Sequence, residues 1–230
     1  MSRVSVADAA YADLRSAIAT GRIAAGTVLS ESRIAADLDI SRTPVRQALR
    51  RLDLEGHIER DERGRPIVHA LTDRELAEIF TVRELLEGFG ARLAATRISA
   101  AELGELGAIV ELDWVAHRRG DVEELARLNK EFHGLIMAAS RNRALVEIVD
   151  ELHWRVFGLS VFAVGTKADS EHFVSEHARM LDLLRDGDAG AVESLVHGHL
   201  RAARRVLGDG SLVAAASHHD GREDERIRIA

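Results

Sequence analysis

The sequence predicts a mainly α-helical protein: an N-terminal winged helix-turn-helix of three helices and a β-hairpin, followed by an all-α antiparallel bundle of six or seven helices. Apolar residues make up 46% of the 230 residues but aromatic residues only 4%, so Leu, Ile, Val and Ala must form the core. Ala and Leu are among the strongest helix formers. The two prolines, Pro44 and Pro66, leave long stretches in which no helix is interrupted.

Residues 1–70 have the order of elements of a winged helix-turn-helix. Helix starts are expected at three serines, Ser5, Ser30 and Ser41. The third helix has Pro44 in its first turn, where the missing N–H has no intrahelical partner to lose, and Gly56 just after its end. Segments 57–60 and 65–70 are expected to form strands around a tight turn at 61–64.

Residues 71–208 show the pattern of consecutive amphipathic helices. Ser99 and Asp121 each precede a glutamate by three residues, which is the spacing of a capping box. Six helices with short links are expected near residues 73–95, 100–118, 122–139, 142–164, 170–186 and 188–207. Residues 209–230 have weak periodicity and many charges, which predicts a flexible tail.

Composition excludes several classes of function. The chain has no cysteine, which excludes disulfides, thiol catalysis and thiolate metal sites. Its first residues lack the apolar run of a signal peptide, and no stretch approaches the roughly 18 apolar residues that span a bilayer. A cytoplasmic protein without a membrane partner is therefore expected.

The net charge of −7 is unevenly distributed. Residues 1–70 hold 11 Arg and no Lys against 10 acidic residues, which gives +1, whereas the rest of the chain holds 20 basic and 28 acidic residues, which gives −8. An acidic total argues weakly against a nucleic-acid partner, but a binding face needs only local positive potential.

The third helix carries arginines on one side. A helix that enters the major groove presents its N-terminal residues to base edges and phosphates. Arg42, Thr43 and Arg46 lie in its first turn and a half, and the two arginines share a face. Their guanidinium forks match guanine O6/N7 or a phosphate, and Arg50 continues the same side. The alternative interpretation is a solvated basic face with i,i+4 charge pairs.

The predicted hairpin also carries positive charge. Gly64 permits the turn, and Arg63 and Arg65 flank it, well placed for the minor groove or the phosphate backbone.

The segment LSESRIAADLDISRTPVRQALRRLDLEGHI (29–58) resembles the DNA-binding module of the GntR family of bacterial transcription regulators, whose signature is Ser-Arg-Thr-Pro-Val-Arg followed by Ala-Leu and Leu-x-x-x-Gly. The helical part resembles the FCD effector domain of the FadR-like branch in four segments, 80–95, 129–142, 175–192 and 197–200. The resemblance covers about residues 8–207 and implies DNA contacts that include Ser41 and the second helix. This family often carries a DNA-contacting Arg at the position of Ser32, so Arg33 beside it is expected to substitute, or Ser32 to make a weaker phosphate contact.

The resemblance also implies a metal site in the helical part. In FCD domains an Asp or Asn and a His come from one helix, here Asn129 and His133, and single histidines come from two later helices, here His177 and His199. Three neutral imidazoles and an oxygen suit Zn²⁺, Ni²⁺ or a similar ion. Asn129 brings no negative charge, which lowers the expected affinity. The alternative is that each histidine is a satisfied core or surface residue, which is the interpretation adopted for the other eight.

A bound cation with open positions would attract a carboxylate-bearing metabolite. Arg83 resembles the family arginine that often faces the effector cavity. The alternative for Arg83 is a surface i,i+4 pair with Glu87, and Glu84 and Glu87 are expected to be solvent-side charges.

Together these features predict a ligand-responsive bacterial transcription regulator rather than an enzyme. It is expected to bind a palindromic operator as a homodimer, with DNA affinity modulated by a small organic acid near a divalent metal. One alternative is a regulator whose metal site is structural or vacant. The other, a metal-dependent hydrolase, is disfavoured because no Glu or Asp stands beside the histidines, and Glu176 should point about 100° away from His177. The sequence leaves open the effector, the operator, and whether binding represses or activates.

Overall fold

The computed structural model describes residues 5–163 and 166–208, which form two units that part at Thr72. The first unit contains three helices and two strands: α1 (Val6–Ala19), α2 (Glu31–Asp37), α3 (Arg42–Leu54), β1 (Ile58–Arg60) and β2 (Pro66–Val68). The strands pair antiparallel, with Ile58 opposite Val68 and Arg60 opposite Pro66. This unit is a winged helix-turn-helix, as the sequence predicts.

Side chains from all three helices form the core of the first unit. Leu14 of α1 and Ile34 of α2 have no exposed surface. Helix α3 buries four residues at helical spacing: Val45, Ala48, Leu49 and Leu52. Because these residues occupy one side of α3, its opposite side is left to solvent.

Several turns of the first unit contain a residue with left-handed backbone, and three of these bear on the helix-turn-helix and its hairpin. Gly56, which follows α3, has φ of 75°, and Gly64 at the tip of the hairpin has φ of 74°. Both glycines stand where the sequence places turns. Asp39, between α2 and α3, has φ of 51°, a conformation that L-residues adopt at a cost.

The serines that precede these helices differ in their side-chain bonds. Ser5 accepts a hydrogen bond from the N–H of Asp8 at 3.1 Å, as predicted. The helix starts predicted at Ser30 and Ser41 are correct, because both residues hold the N-cap positions of α2 and α3, but neither side chain forms the hydrogen bond of a cap. The Ser30 hydroxyl lies 3.0 Å from that of Ser32 instead, and Ser41 is exposed, so that water can solvate its hydroxyl.

The second unit consists of helices among the described residues. They are α4 (Asp73–Ala94), α5 (Ala100–Arg119), α6 (Val122–Ala139), α7 (Arg143–Ala163), α8 (Lys167–Asp186) and α9 (Ala189–Gly208). Helix α4 packs against α9, and α5 packs against α6 and α8. The predicted bundle of six helices is therefore present.

Caps set the ends of several of these helices. Ser99 and Glu102 form the predicted capping box of α5. Helix α8 begins three residues before the predicted position, because Thr166 accepts a hydrogen bond from the N–H of Asp169 and caps it. 

Gly88 lies at a close contact between α4 and α9. A methyl group at Gly88 would overlap the imidazole of His197. A methyl group at Gly90 would overlap the end of the Met137 side chain in the same way.

None of the helices in the described part of the chain is long and apolar enough to cross a membrane. The flexible tail predicted for residues 209–230 lies outside the described residues.

Candidate nucleic-acid interface and histidine site

The outer side of α3 presents the predicted DNA-contacting residues to solvent. Ser41, Arg42, Thr43, Arg46 and Arg50 are all exposed, while the opposite side of the helix is buried. The side chain of Arg42 forms no hydrogen bond or ion pair with a residue that the structure describes, although its charge helps to lower the pKa of Glu31. Burial on one side and basic residues on the other give α3 the form of a recognition helix.

Arg46 is held by an ion pair that the sequence analysis did not predict. Its Nε lies 3.0 and 3.1 Å from the two carboxylate oxygens of Glu31 on α2, and its Nη2 lies 2.9 Å from one of them. The hydrogen bonds from Arg46 lower the pKa of the Glu31 carboxyl. The Arg46 side chain is still 54% exposed.

The other two predicted positions of α2 lie beside this pair. Ser32 is exposed, and Arg33 is half-buried. Both lie on the short helix that precedes α3, in the order that a helix-turn-helix requires.

The two arginines of the hairpin tip differ in their bonding partners. The Asp61 carboxylate accepts hydrogen bonds from the backbone N–H groups of Arg63 and Arg65, at 3.0 and 2.8 Å, and from Nε of Arg65 at 2.8 Å. The bond from the Arg65 N–H is the main reason that the pKa of Asp61 is lowered. The Arg63 side chain is exposed and has no partner among the residues described, so Arg63 is the wing arginine that is available to a ligand.

In the bundle, three helices bring the predicted histidines together. His133 of α6, His177 of α8 and His199 of α9 are at most 3% exposed, and each offers a ring nitrogen within 4.8 Å of the others. The Nε2 atoms of His133 and His199 are 3.2 Å apart. Asn129, one turn before His133, lines the same cavity and has no hydrogen bond to a described residue.

Carboxylates form hydrogen bonds with Nδ1 of two of these imidazoles. Nδ1 of His177 lies 2.8 Å from Oδ2 of Asp113 on α5, and Nδ1 of His199 lies 2.9 Å from Oε2 of Glu176. An ionised carboxylate can only accept hydrogen bonds, so Nδ1 carries the proton in each ring. A ring with its one proton on Nδ1 presents a lone pair on Nε2, which is the arrangement of a carboxylate–histidine–metal triad.

Glu87 bonds two groups and lies near the third imidazole without a hydrogen bond to it. Its Oε1 accepts from Nε of Arg83 at 2.7 Å and lies 2.9 Å from Nε2 of His153, while its Oε2 lies 3.5 Å from Nδ1 of His133. Glu87 is fully buried and Arg83 is 6% exposed. The expectation that Glu87 is a solvent-side charge, or the surface partner of Arg83, is wrong: the pair exists but lies in the core of the bundle.

Burial and neighbouring charges shift the pKa values of several groups in this cluster. Burial is the largest single influence on Glu87 and opposes its ionisation, but Arg83, His153 and His133 together outweigh it and hold the pKa of the carboxyl well below its usual range. Burial lowers the pKa of His133 well below its usual range and also lowers that of His199, although Glu176 opposes the second shift. Both imidazoles are therefore neutral near pH 7, as metal ligands must be.

The donor set fits a divalent transition metal. Nitrogen ligands at about 2.0–2.1 Å around a tetrahedral Zn²⁺ lie roughly 3.3 Å apart, close to the 3.2 Å between Nε2 of His133 and of His199. Nε2 of His177 is buried and has no hydrogen-bond partner among the described residues. An ion or an ordered water at this nitrogen would compensate its lost hydration.

The surrounding formal charges point to the same kind of ion. Three carboxylates and one guanidinium lie against the imidazoles, which leaves a formal excess of two negative charges. These groups are Glu87, Asp113, Glu176 and Arg83. A divalent cation balances that excess.

A cavity of about 50 Å³ opens next to the imidazoles. Arg83, Asn129 and Phe80 are among its lining residues, and the Arg83 guanidinium also lies over the Phe80 ring at 4.7 Å. The structure thus places Arg83 in the wall of the same cavity as the histidines. 

Sequence reasoning missed the carboxylates, but one of them had a visible signal. Asp113 lies four residues after Ile109 and three before Ala116, and all three are buried on one face of α5. A charged residue at the spacing of a buried face requires a partner. Nothing in the local sequence marks Glu176, whose bond joins it to the next helix.

A winged helix-turn-helix whose third helix, α3, exposes arginines belongs to the class of DNA-binding transcription regulators. The model of the gntR family of bacterial regulatory proteins matches residues 6–68. The model of the FCD domain matches residues 78–202, and this match alone covers more than half of the chain. The chain therefore belongs to the FCD-containing regulators of the GntR family, and the family consists of transcription regulators rather than enzymes.

Curated relatives are regulators as well. The chain is 38% identical over 140 residues to the gluconate operon transcriptional repressor of Bacillus subtilis (strain 168), covering 60% of this chain and 57% of the relative. It is 27% identical over 234 residues to a probable D-xylose utilization operon transcriptional repressor of Paenarthrobacter nicotinovorans, covering 100% and 97% of the two chains.

Solved structures share the fold. Escherichia coli McbR/YncC has a TM-score of 0.79 at 24% identity, with 89% of this chain and 98% of that chain covered. A putative GntR transcriptional regulator from Rhodococcus sp. RHA1 has a TM-score of 0.74 at 21% identity, with 88% and 98% covered.

Proposed function

We propose that this protein is a cytoplasmic repressor that binds a palindromic operator as a homodimer and changes its DNA affinity when an organic acid binds beside a divalent metal in the bundle. The observation that carries the proposal is the exposed arginine side of α3, backed by a fully buried opposite side. The names of the gluconate and D-xylose operon repressors support repression as the direction of control.

The DNA contacts divide by position on the winged helix-turn-helix. Arg42, Thr43 and Arg46 at the start of α3 would face base edges in the major groove, and Arg50 one turn later would contact phosphate. Ser41 and the positions 32 and 33 on α2 would contact the phosphate backbone, because helix N-termini and hydroxyls position a protein on DNA without reading sequence. The wing, with Gly64 at its tip and Arg65 beside it, would reach the adjacent groove.

The homodimer is supported by an exposed apolar stripe on α4. Val82, Leu85 and Phe89 are 44%, 64% and 44% exposed and share one face at i, i+3 and i+7. Two copies of this stripe, related by a two-fold axis, would cover each other's apolar surface. Such symmetry matches a palindromic operator whose half-sites are one helical turn apart.

The histidine site would hold the metal. His133, His177 and His199 are its proposed ligands, with the Asn129 amide oxygen as a fourth, and Zn²⁺ or Ni²⁺ is the proposed ion. When bound, the cation supplies positive charge for a carboxylate in the cavity. Arg83 would bind the same carboxylate from the cavity wall, and the operon named for one relative is that of an organic acid.

Two alternatives differ in how they fit the structure. A structural or vacant metal site is favoured by Asn129, which adds no charge to the ligand set. The hydrolase has lost its support, because the family consists of regulators. Carboxylates do lie beside the histidines, contrary to the expectation, but Asp113 and Glu176 bond the Nδ1 atoms of His177 and His199.

The test combines DNA and metal measurements on the purified full chain. Duplexes selected from a randomised library are titrated by fluorescence anisotropy at fixed salt, with the unaltered protein and with Arg42→Ala. We expect a palindromic selected sequence and a loss of specific binding in the variant; selection of no sequence, or an unchanged affinity, contradicts the DNA role.

Metal analysis, followed by titration of organic acids with and without chelator, tests the proposed metal and effector site in the bundle. Release of DNA by an acid from metal-free protein would contradict the metal's part in sensing.

A further inference from the structure

The Arg46–Glu31 ion pair has a definite orientation. Glu31 receives Nε and Nη2 of Arg46, which is the side edge of the guanidinium. A planar guanidinium has a second edge, formed by Nη1 and the remaining hydrogen of Nη2. That edge is left without a partner among the described residues, and the side chain is 54% exposed.

The unpaired edge has the geometry that base recognition needs. Guanine presents two acceptors in the major groove, O6 and N7, and two parallel N–H donors of an arginine match them. A long exposed side chain samples many rotamers, and a bidentate, charge-assisted bond to a carboxylate selects one of them. Glu31 belongs to α2, so its carboxylate fixes Arg46 relative to the helix-turn-helix as a whole.

We infer that Glu31 is a positioning residue for sequence recognition: its carboxylate orients Arg46 so that the free edge of the guanidinium reads a guanine. The inference rests on the proposed DNA-binding function and adds a residue to it. Glu31 carries a negative charge toward a polyanion, so its direct electrostatic effect on DNA binding is unfavourable. Glu31 therefore contributes to the choice of DNA sequence and not to the overall strength of DNA binding.

Glu31 could instead act only as a competitor of DNA for Arg46, and a different result is then expected. If the carboxylate only competes with DNA for Arg46, its neutralisation tightens binding to every duplex by the same factor. If it positions Arg46, neutralisation weakens binding to the selected duplex relative to an unrelated one. The ratio of the two affinities separates the two roles.

The experiment uses the full chain and a duplex selected from a randomised library by the unaltered protein. Affinities for this duplex, for its single base-pair substitutions and for an unrelated duplex are measured at one salt concentration. Glu31→Gln keeps the shape of the side chain and removes its charge. We expect the preference for the selected duplex to fall about 5- to 150-fold, the range of one bidentate base contact. We expect the loss to map to the guanine that Arg46→Ala also affects.

Two further variants make the result decisive. In an Arg46→Ala background, Glu31→Gln should cause no further loss of preference. Asp37→Asn removes an exposed charge from the same helix and should change the affinities for both duplexes by the same factor. An equal gain for both duplexes with Glu31→Gln, or a loss at a base pair that Arg46→Ala leaves unaffected, would overturn the inference. Failure of the unaltered protein to select any duplex would instead remove the proposed function itself.

Discussion

Asp113 and His177 form a hydrogen bond of 2.8 Å in the interior of the bundle, where Asp113 is 1% and His177 2% exposed. The bond fixes the ring orientation and places the proton on Nδ1. It also leaves Nε2 of His177 as the nitrogen without a partner in the described part of the chain. An aspartate on α5 thereby decides which atom of a histidine on α8 can bind an ion.

Replacement of Asp113 should weaken metal binding more than it weakens the fold. In Asp113→Asn the side chain keeps its size and an acceptor oxygen but loses the charge that makes the imidazole a better ligand. We expect the affinity for Zn²⁺ to fall about 10- to 100-fold. Competition with a chromophoric chelator measures it. Glu105→Gln, at an exposed position of the same helix, is the control, and equal affinities of the two variants would show that Asp113 does not support the site.

The metal-free protein should lose stability on mild acidification. His133 and His199 have pKa values lowered in the folded state by burial, so the unfolded chain binds protons that the folded chain does not. The stability is complete above the unfolded histidine pKa of about 6.5 and falls below it, by about 1.4 kcal/mol per pH unit for each imidazole that stays neutral. Glu87, whose pKa is also lowered, adds a loss at more acidic pH, below its unfolded value of about 4.3.

Urea unfolding of the chelator-treated protein between pH 8 and pH 5 measures this dependence. His199→Gln removes one of the two imidazoles and should flatten the curve, whereas His172→Gln, at an exposed position, should leave it unchanged. A free energy of unfolding that does not change below pH 6.5 would contradict the assignment of neutral buried rings.

A methyl group at Gly88 should separate α4 from α9. The added Cβ would overlap the His197 ring, which must move, and overpacking of this kind costs about 1–3 kcal/mol. Thermal or urea unfolding of Gly88→Ala measures the cost. Gly104→Ala is the matched control, because nothing lies near a Cβ there and a helical alanine should stabilise by about 0.5–1 kcal/mol.

The double variant Gly88→Ala with His197→Ala tests the cause. Removal of the ring should recover most of the loss, so that the two substitutions are not additive. Additive losses would mean that the glycine is needed for another reason.

The elements of the fold could be predicted from the sequence because their signals are local. The capping box at Ser99, Gly56 after α3 and the apolar spacing of α3 each require only neighbouring residues. Ser30 shows the limit of this reasoning: a serine at an N-cap position has a second nearby hydroxyl, and local sequence does not decide between them.

The candidate site could be predicted only in part, because its members come from separate helices. Resemblance to the family supplied the histidines, and the structure brings them together. Glu87 shows why the rest was missed: its spacing from Arg83 is equally compatible with a surface pair and with a buried one. Only the packing of α4 against its neighbours shows that the pair is buried.

The apolar stripe on α4 leads to a prediction about assembly. Leu85→Glu places a charge at the centre of the stripe, and we expect the proposed dimer to dissociate because that charge would be buried in its interface. Sedimentation velocity measures the change. Ile148→Glu is the control, since Ile148 is also exposed, at 52%, but lies on α7. A dimer that survives Leu85→Glu and dissociates with Ile148→Glu would place the interface elsewhere.

The two wing arginines should contribute unequally to DNA binding. Arg63 is free to neutralise a phosphate, whereas Arg65 is paired with Asp61 at 2.8 Å. We expect Arg63→Ala to weaken binding to all duplexes and to reduce the slope of log affinity against log salt concentration by about one. Arg65→Ala should change the slope less, because its charge is already balanced by a carboxylate. Titrations at several salt concentrations measure both slopes, and an equal reduction in the two variants would mean that the Arg65–Asp61 pair opens when DNA binds.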